Sequence, residues 1–221
     1  MLFDLKGKRR RTVQATYVAL AFLMVVGLVG AGVGSGVSGG VFDLFSGGSG
    51  SSTADKTVQK RIDAAEKRLK LNPHDQAALV IIVRSHYSLA SLDTNQNTGV
   101  FGKDGKAELV KTAAAWQRYL ALNPKNPDPS LASVMLNAFG KGGLNKPADV
   151  ASAAEIIALS RKDAQSYLRL EGCATLASQT RKATLAGQKA IALATKDQLK
   201  AVKGFVAEAK TATTAPKYCG Q

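Results

Sequence analysis

The sequence predicts an all-α protein in which a single N-terminal transmembrane helix precedes an exported α-solenoid of about eight antiparallel helices. Three observations predict this class. One uncharged apolar run near the N-terminus is long enough to cross a bilayer once. Beyond a Gly/Ser-rich stretch, every long segment is rich in Ala, Leu, Lys and Glu, with apolar residues at a spacing of about 3.6. Similar strings also recur where the predicted helices end.

The first 33 residues indicate membrane insertion. Residues 13–33 form the most apolar part, and at ~1.5 Å per residue they extend about 31 Å, the thickness of a hydrocarbon core. Residues 1–12 form a basic tail, and Lys and Arg beside a span stay on the cytoplasmic side. The sequence therefore predicts a single-pass plasma-membrane protein with a cytoplasmic N-terminus and an extracytoplasmic chain after residue 33. The basic residues that set this orientation are Lys6, Lys8, Arg9, Arg10 and Arg11.

Two alternatives for this segment stay open. A cleaved secretory signal would have an apolar region of only ~7–15 residues, although the small residues 30–32 and the Arg10-Arg11 pair are compatible with one. Most of the polypeptide is exported in either case. Gly30 and Gly34 have the spacing that lets membrane helices pack closely, but a helix that ends in a glycine linker accounts for them more simply.

Residues 34–52 are a tether made almost entirely of Gly and Ser, interrupted by an apolar patch at 41–45. Nineteen such residues have a root-mean-square reach of ~24 Å. The domain beyond is therefore expected to stay near the membrane. The apolar patch could enter the membrane interface or dock on the domain.

Residues 53–213 are the helical domain, and 214–221 are a C-terminal tail. Within the domain, apolar residues follow one stripe of each predicted helix, and Pro73 and Pro124 close two of them. The predicted helices are 54–71, 75–91, 106–122, 129–139, 148–160, 163–177, 181–194 and 197–211.

An internal repeat organises these helices. The strings at 68–73 and 118–124 both end a helix with Leu-Asn-Pro, 51 residues apart, and a spacing of 34 to 36 residues reaches two later helix ends. The chain here resembles the tetratricopeptide repeat family, whose unit is a helix pair of about 34 residues. The resemblance is carried by Ala65, Leu69, Leu71, Asn72, Pro73, Ala78 and Tyr87 at the first junction, and by Ala115, Tyr119, Leu122, Asn123, Pro124 and Ala132 at the second.

The resemblance implies stacked helix pairs with a concave face that binds peptides or proteins. The layout of basic tail, span and exported repeats also resembles bacterial YfgM-type accessory proteins of the translocon. It implies a membrane-anchored scaffold that assists exported proteins or an envelope complex. The alternative is a structural subunit of a larger membrane assembly.

Catalytic, cofactor and metal sites are not predicted. His74 lies at a helix start, His86 lies on an apolar stripe, and no acid/base pair accompanies them. An enzyme would be favoured only if one pocket gathered His86, Tyr87 and a carboxylate. The stretch 93–99 alternates oxygen ligands as in a calcium loop, but its glycine is one position late and Asp104 replaces the final Glu. A turn-rich connection is the preferred interpretation.

The two cysteines, Cys173 and Cys219, are a candidate disulfide because an exported domain meets oxidising conditions. Two independent thiols, with Cys173 buried as a small apolar residue, are the alternative.

The net charge is +14, and residues from 53 onward hold 25 Lys and Arg against 14 Asp and Glu, a net +11. This surface attracts anions, so acidic segments of client proteins, lipid head groups and acidic wall polymers are candidate partners. A surface that is basic only for solubility is an equal alternative. Nucleic acid is disfavoured because the basic residues do not cluster with aromatic ones.

Overall fold

The computed structural model describes residues 51–220, with side chains from residue 56 onward. The basic tail, the predicted span and nearly all of the predicted tether lie outside the described residues. The described part of the chain contains nine α-helices and no β-strand, which confirms the all-α prediction there. Between residues 51 and 220, no helix combines the length and apolar character that crossing a membrane requires.

All eight helices predicted from the apolar spacing are present, with ends displaced by at most three residues, and one short helix follows them. The first helix begins inside the segment 34–52 that the sequence assigns to the tether. The helices are α1 (Ser51–Leu71), α2 (Gln76–Leu92), α3 (Lys103–Ala121), α4 (Pro129–Phe139), α5 (Pro147–Arg161), α6 (Ala164–Leu176), α7 (Thr180–Leu193), α8 (Leu199–Ala209) and α9 (Ala215–Cys219).

Aspartate N-caps mark three of the even-numbered helices. The carboxylates of Asp75, Asp128 and Asp163 accept hydrogen bonds from backbone N–H groups in the first turns of α2, α4 and α6, at 2.9, 2.8 and 2.7 Å. Each cap satisfies a donor that has no partner within the helix. The helices α4, α6 and α8 begin at residues 129, 164 and 199, so the even helices recur every 35 residues in this half of the domain.

Residues in the left-handed backbone conformation turn the chain between successive helices. Asn123, Asn145, Lys162 and Ser178 have φ between 49° and 56°, and one of them lies in each connection from α3 to α7. Asparagine adopts this conformation readily, whereas lysine and serine do so rarely. These turns return the chain over few residues, so successive helices remain neighbours.

Each helix packs against the next one along the chain, and α2–α4 and α6–α8 add contacts between successive pairs. The core that results runs from α1 to α9. Its largest fully buried residues include Leu79, Leu109, Leu131, Met135 and Phe139. Buried alanines on α5 and α7 leave little side chain between helices and allow close approach.

The C-terminal tail is also structured. Residues 215–219 form α9, which packs on α6 and α8. The Sγ atoms of Cys173 and Cys219 are 2.06 Å apart in a disulfide that joins α6 to α9, with the two Cα atoms 4.7 Å apart. A Cβ at Gly172 would lie 2.9 Å from the Ala215 carbonyl oxygen, so glycine permits this close crossing.

Candidate functional site

A groove runs between α5 and α7, with α6 at its base, and we call it the α5–α7 groove. Its volume is about 790 Å³. Tyr167 and Leu170 of α6 are buried and form the base. Leu159 of α5 and Leu185 of α7 line the groove and are 58% and 56% exposed. The groove therefore presents two large apolar side chains to solvent beside an apolar base.

The charged residues of the groove are mostly basic. Arg181, Lys182 and Lys189 of α7 line it, and Glu155 of α5 is the one acidic residue among its lining. Lys182 Nζ lies 2.6 Å from a Glu155 carboxylate oxygen, so these two charges compensate each other. Arg181 and Lys189 form no ion pair with any of the side chains described between residues 56 and 220. The groove consequently keeps two uncompensated positive charges.

Helical spacing places these side chains on one face of α7. Arg181, Leu185 and Lys189 stand at positions i, i+4 and i+8, which share one side of an α-helix. On α5, Glu155 and Leu159 are also four residues apart. Ala183, Ala186 and Ala190 of α7 are buried, and Ala186 also lines the groove. These groove residues were not predicted from the sequence, although leucines that lie off the buried stripe of a helix are a signal that the sequence contains.

A buried carboxylate lies where α6 meets α7. Glu171, next to Leu170 on α6, is fully buried, and neither of its carboxylate oxygens has a hydrogen-bond partner within the described residues. A Cβ at Gly187 of α7 would lie 2.4 Å from Glu171 Oε1, so glycine leaves room for the carboxylate. Burial raises the pKa of Glu171 to about 7, and the positive charge of Lys210 opposes that rise.

A second groove lies between α1 and α3 over α2, with a volume of about 560 Å³, and we call it the α1–α3 groove. Its charged lining also comprises three basic residues, Lys70, Lys111 and Arg118, and one acidic residue, Glu66. Its large apolar side chains, among them Ile62, are buried. The two grooves therefore have the same number of basic and acidic lining residues, although Glu155 is in an ion pair and Glu66 is in none within the described residues. They differ in their exposed leucines.

His86 is buried at the base of the α1–α3 groove. Its Nδ1 lies 2.6 Å from Glu108 Oε2, and Lys111 Nζ lies 2.6 Å from Glu108 Oε1. Burial acts to raise the pKa of Glu108, but hydrogen bonds and charges from Lys111 and His86 outweigh it, and the pKa falls below its ordinary value. The carboxylate is thus held ionised between two partners.

The combination that would favour an enzyme is not gathered in one described cavity. His86 has a carboxylate partner, but Tyr87 lines a different cavity, where it meets the Phe101 ring with centroids 6.1 Å apart. His74 is exposed, and its backbone N–H donates to the Asn72 side chain at 3.1 Å.

The calcium-like stretch uses its oxygens within the α2–α3 connection. Asp93 Oδ2 accepts the backbone N–H of Gly105 at 2.8 Å, which caps α3, and Asn95 Oδ1 accepts the N–H groups of Asn97 and Thr98. Thr94 and Phe101 form an isolated β-bridge that closes the turn. Among the described residues, no three His, Cys, Asp or Glu side chains come close enough to hold a metal ion.

The predicted orientation residues, Lys6 to Arg11, lie outside the described part of the chain. The predicted cysteine pair lies in the α6–α9 disulfide, away from the α5–α7 groove lining. In comparisons with known proteins, no family model, curated protein or solved structure matches this chain. The function of the candidate site is therefore inferred from its geometry alone.

Proposed function

We propose that this protein is a membrane-anchored scaffold that binds other proteins on the extracytoplasmic side, where it assists exported proteins or an envelope complex. The observation that carries the proposal is the α5–α7 groove, with its two exposed leucines beside unpaired basic residues. Exposed apolar side chains in a concave site are typical of protein-binding surfaces. The proposed role is binding and not catalysis.

Two further features support the scaffold. The 35-residue recurrence of α4, α6 and α8 agrees with the proposed tetratricopeptide-like array, in which stacked helix pairs build a concave binding face. The uncharged run at 13–33 and its basic flank support an N-terminal anchor. A membrane anchor would hold the groove near emerging or assembled envelope proteins.

Site-specific photo-crosslinking in intact cells tests this function. A photoreactive residue replaces Leu185 in the groove, and the matched control replaces Val110 of α3, which is 58% exposed and lies outside the grooves. The proposal predicts discrete protein adducts at position 185, lost when Arg181→Glu and Lys189→Glu are added, and none at position 110. Equal labelling at both positions, or none at 185, contradicts it.

A further inference from the structure

We propose that the α5–α7 groove binds an extended acidic polypeptide segment in which an apolar side chain lies between two carboxylates. This inference rests on the proposed function and specifies the chemistry of the partner. It follows from the order of charged and apolar side chains along α7 and from comparison of the two grooves.

The basic and apolar residues of α7 alternate in a fixed order. Arg181, Leu185 and Lys189 follow one another on one helix face, and successive members are about 6 Å apart along the axis. In an extended peptide, alternate side chains point to one side at about 6.6 Å intervals. A Glu-x-Leu-x-Glu segment therefore places its carboxylates beside Arg181 and Lys189 while its leucine meets Leu185.

The two leucines explain why the partner must contain an apolar residue. Leu159 and Leu185 stand more than half exposed on opposite sides of the groove, above the buried Tyr167 and Leu170. A leucine side chain between them would remove apolar surface on both sides from water. A polymer that carries only acidic groups would leave this surface exposed.

The charge of the groove explains why the flanking residues must be acidic. Lys182 is already paired with Glu155, so Arg181 and Lys189 are the cations available to a ligand. Both are exposed, and carboxylates placed beside them gain charge-assisted hydrogen bonds. A basic partner would be repelled.

Comparison with the α1–α3 groove distinguishes this partner from a general polyanion. It has the same number of basic and acidic lining residues, and one of its basic residues, Lys111, is likewise paired, with Glu108. A polyanion attracted by charge alone would use both grooves. A segment that needs exposed leucines would use only the α5–α7 groove.

The test uses the full-length chain in detergent and a fluorescent peptide with the core Glu-Ser-Leu-Ser-Glu, followed by anisotropy. The charge variant is Arg181→Glu with Lys189→Glu, and the apolar variant is Leu159→Ser with Leu185→Ser. The matched control, Lys70→Glu with Arg118→Glu, makes the same charge change in the α1–α3 groove. All these positions except Leu159 and Leu185 are charged surface residues, and both leucines are largely exposed.

We expect both groove variants to weaken peptide binding by about tenfold or more, a difference that titration resolves readily. The control variant should bind as the parent does. A peptide of the same composition with adjacent glutamates, polyglutamate and anionic phosphatidylglycerol vesicles should all compete poorly.

Three results would overturn the inference: equal loss in the control variant, equal binding of the rearranged peptide, or full competition by polyglutamate or vesicles. If position 185 still yields protein adducts in cells, only the partner chemistry is wrong. If those adducts are also missing, the proposed function fails as well.

Discussion

At the residue scale, Asp75 shows how one side chain stabilises the junction between α1 and α2. Its carboxylate accepts the backbone N–H of Ala78, and Arg68 Nη2 lies 2.8 Å from it. The hydrogen bond from Ala78 is the main reason that the pKa of Asp75 lies below its ordinary value, and Arg68 adds to the effect while desolvation opposes it. A carboxylate with a lowered pKa stabilises the fold above its unfolded-state pKa, and that contribution is lost as the pH falls.

Asp75→Ala should lower the free energy of unfolding by about 1 kcal/mol, because α2 loses its N-cap. Asp75→Asn keeps an oxygen acceptor and loses only the exposed ion pair, so its effect should be smaller. Urea denaturation at neutral pH measures both variants. Equal losses in the two variants would contradict a capping role.

Glu171 affects the pH dependence of the free energy of unfolding in the opposite direction from Asp75. The unfolded-state pKa of Glu171 is close to the ordinary value of 4.5. Below this pH, Glu171 is protonated in both the folded and the unfolded state, so its ionisation does not lower the stability of the fold. Between 4.5 and about 7, the unfolded chain loses this proton while the folded chain keeps it. The contribution of Glu171 to stability therefore declines as the pH rises through this range.

Glu171→Gln should remove this decline in stability with rising pH. The free energy of unfolding of the variant, relative to the parent, should rise by roughly 3 kcal/mol between pH 4.5 and pH 8, as the shift in pKa implies. Denaturant titrations of both proteins across this range measure the difference. Parallel pH profiles would show that Glu171 does not titrate inside the fold as described.

At the scale of the elements, the α6–α9 disulfide joins residues 46 positions apart. In the chain-entropy treatment, closing a loop of this length stabilises the folded state by about 4 kcal/mol. Intact mass should rise by two hydrogens on reduction, and reduction should lower the free energy of unfolding by about that amount. The Cys173→Ala, Cys219→Ala double variant is the matched control and should not respond to reductant. An unchanged mass on reduction would mean that the bond does not form.

The helices themselves were largely predictable from the sequence. Apolar spacing and prolines locate α1 to α8 because a helix that packs on its neighbours must keep a continuous apolar stripe. The short helix α9 was missed because five residues carry no periodic signal. It is positioned by its packing on α6 and α8 and by the bond between Cys173 and Cys219.

The candidate site was not predictable in the same way. Leu159 and Leu185 lie 26 residues apart, and either leucine alone reads as an ordinary exposed apolar residue. Only the folded arrangement places them on opposite sides of one groove above α6. The sequence shows an excess of basic residues, but only the folded structure shows that Lys182 is paired with Glu155 and that Arg181 and Lys189 remain available.

At the scale of the whole molecule, the proposed function requires an N-terminal membrane anchor ahead of the helical domain. The uncharged run at 13–33 supports the anchor, and Lys6 to Arg11 support its orientation. Replacing those five basic residues with Gln should reduce the fraction of chains in the predicted orientation. A tag at the C-terminus, probed with a membrane-impermeant reagent, would measure this change. An unaltered orientation would mean that the basic tail does not set the topology.

The most direct test of the central claim is protease treatment of intact protoplasts that express the full-length chain with tags at both ends. We expect the protease to remove the C-terminal tag and degrade the helical domain, while the N-terminal tag stays protected in the membrane fraction. A helical domain that resists digestion until the protoplasts are lysed, but is digested afterwards, would contradict an extracytoplasmic docking surface.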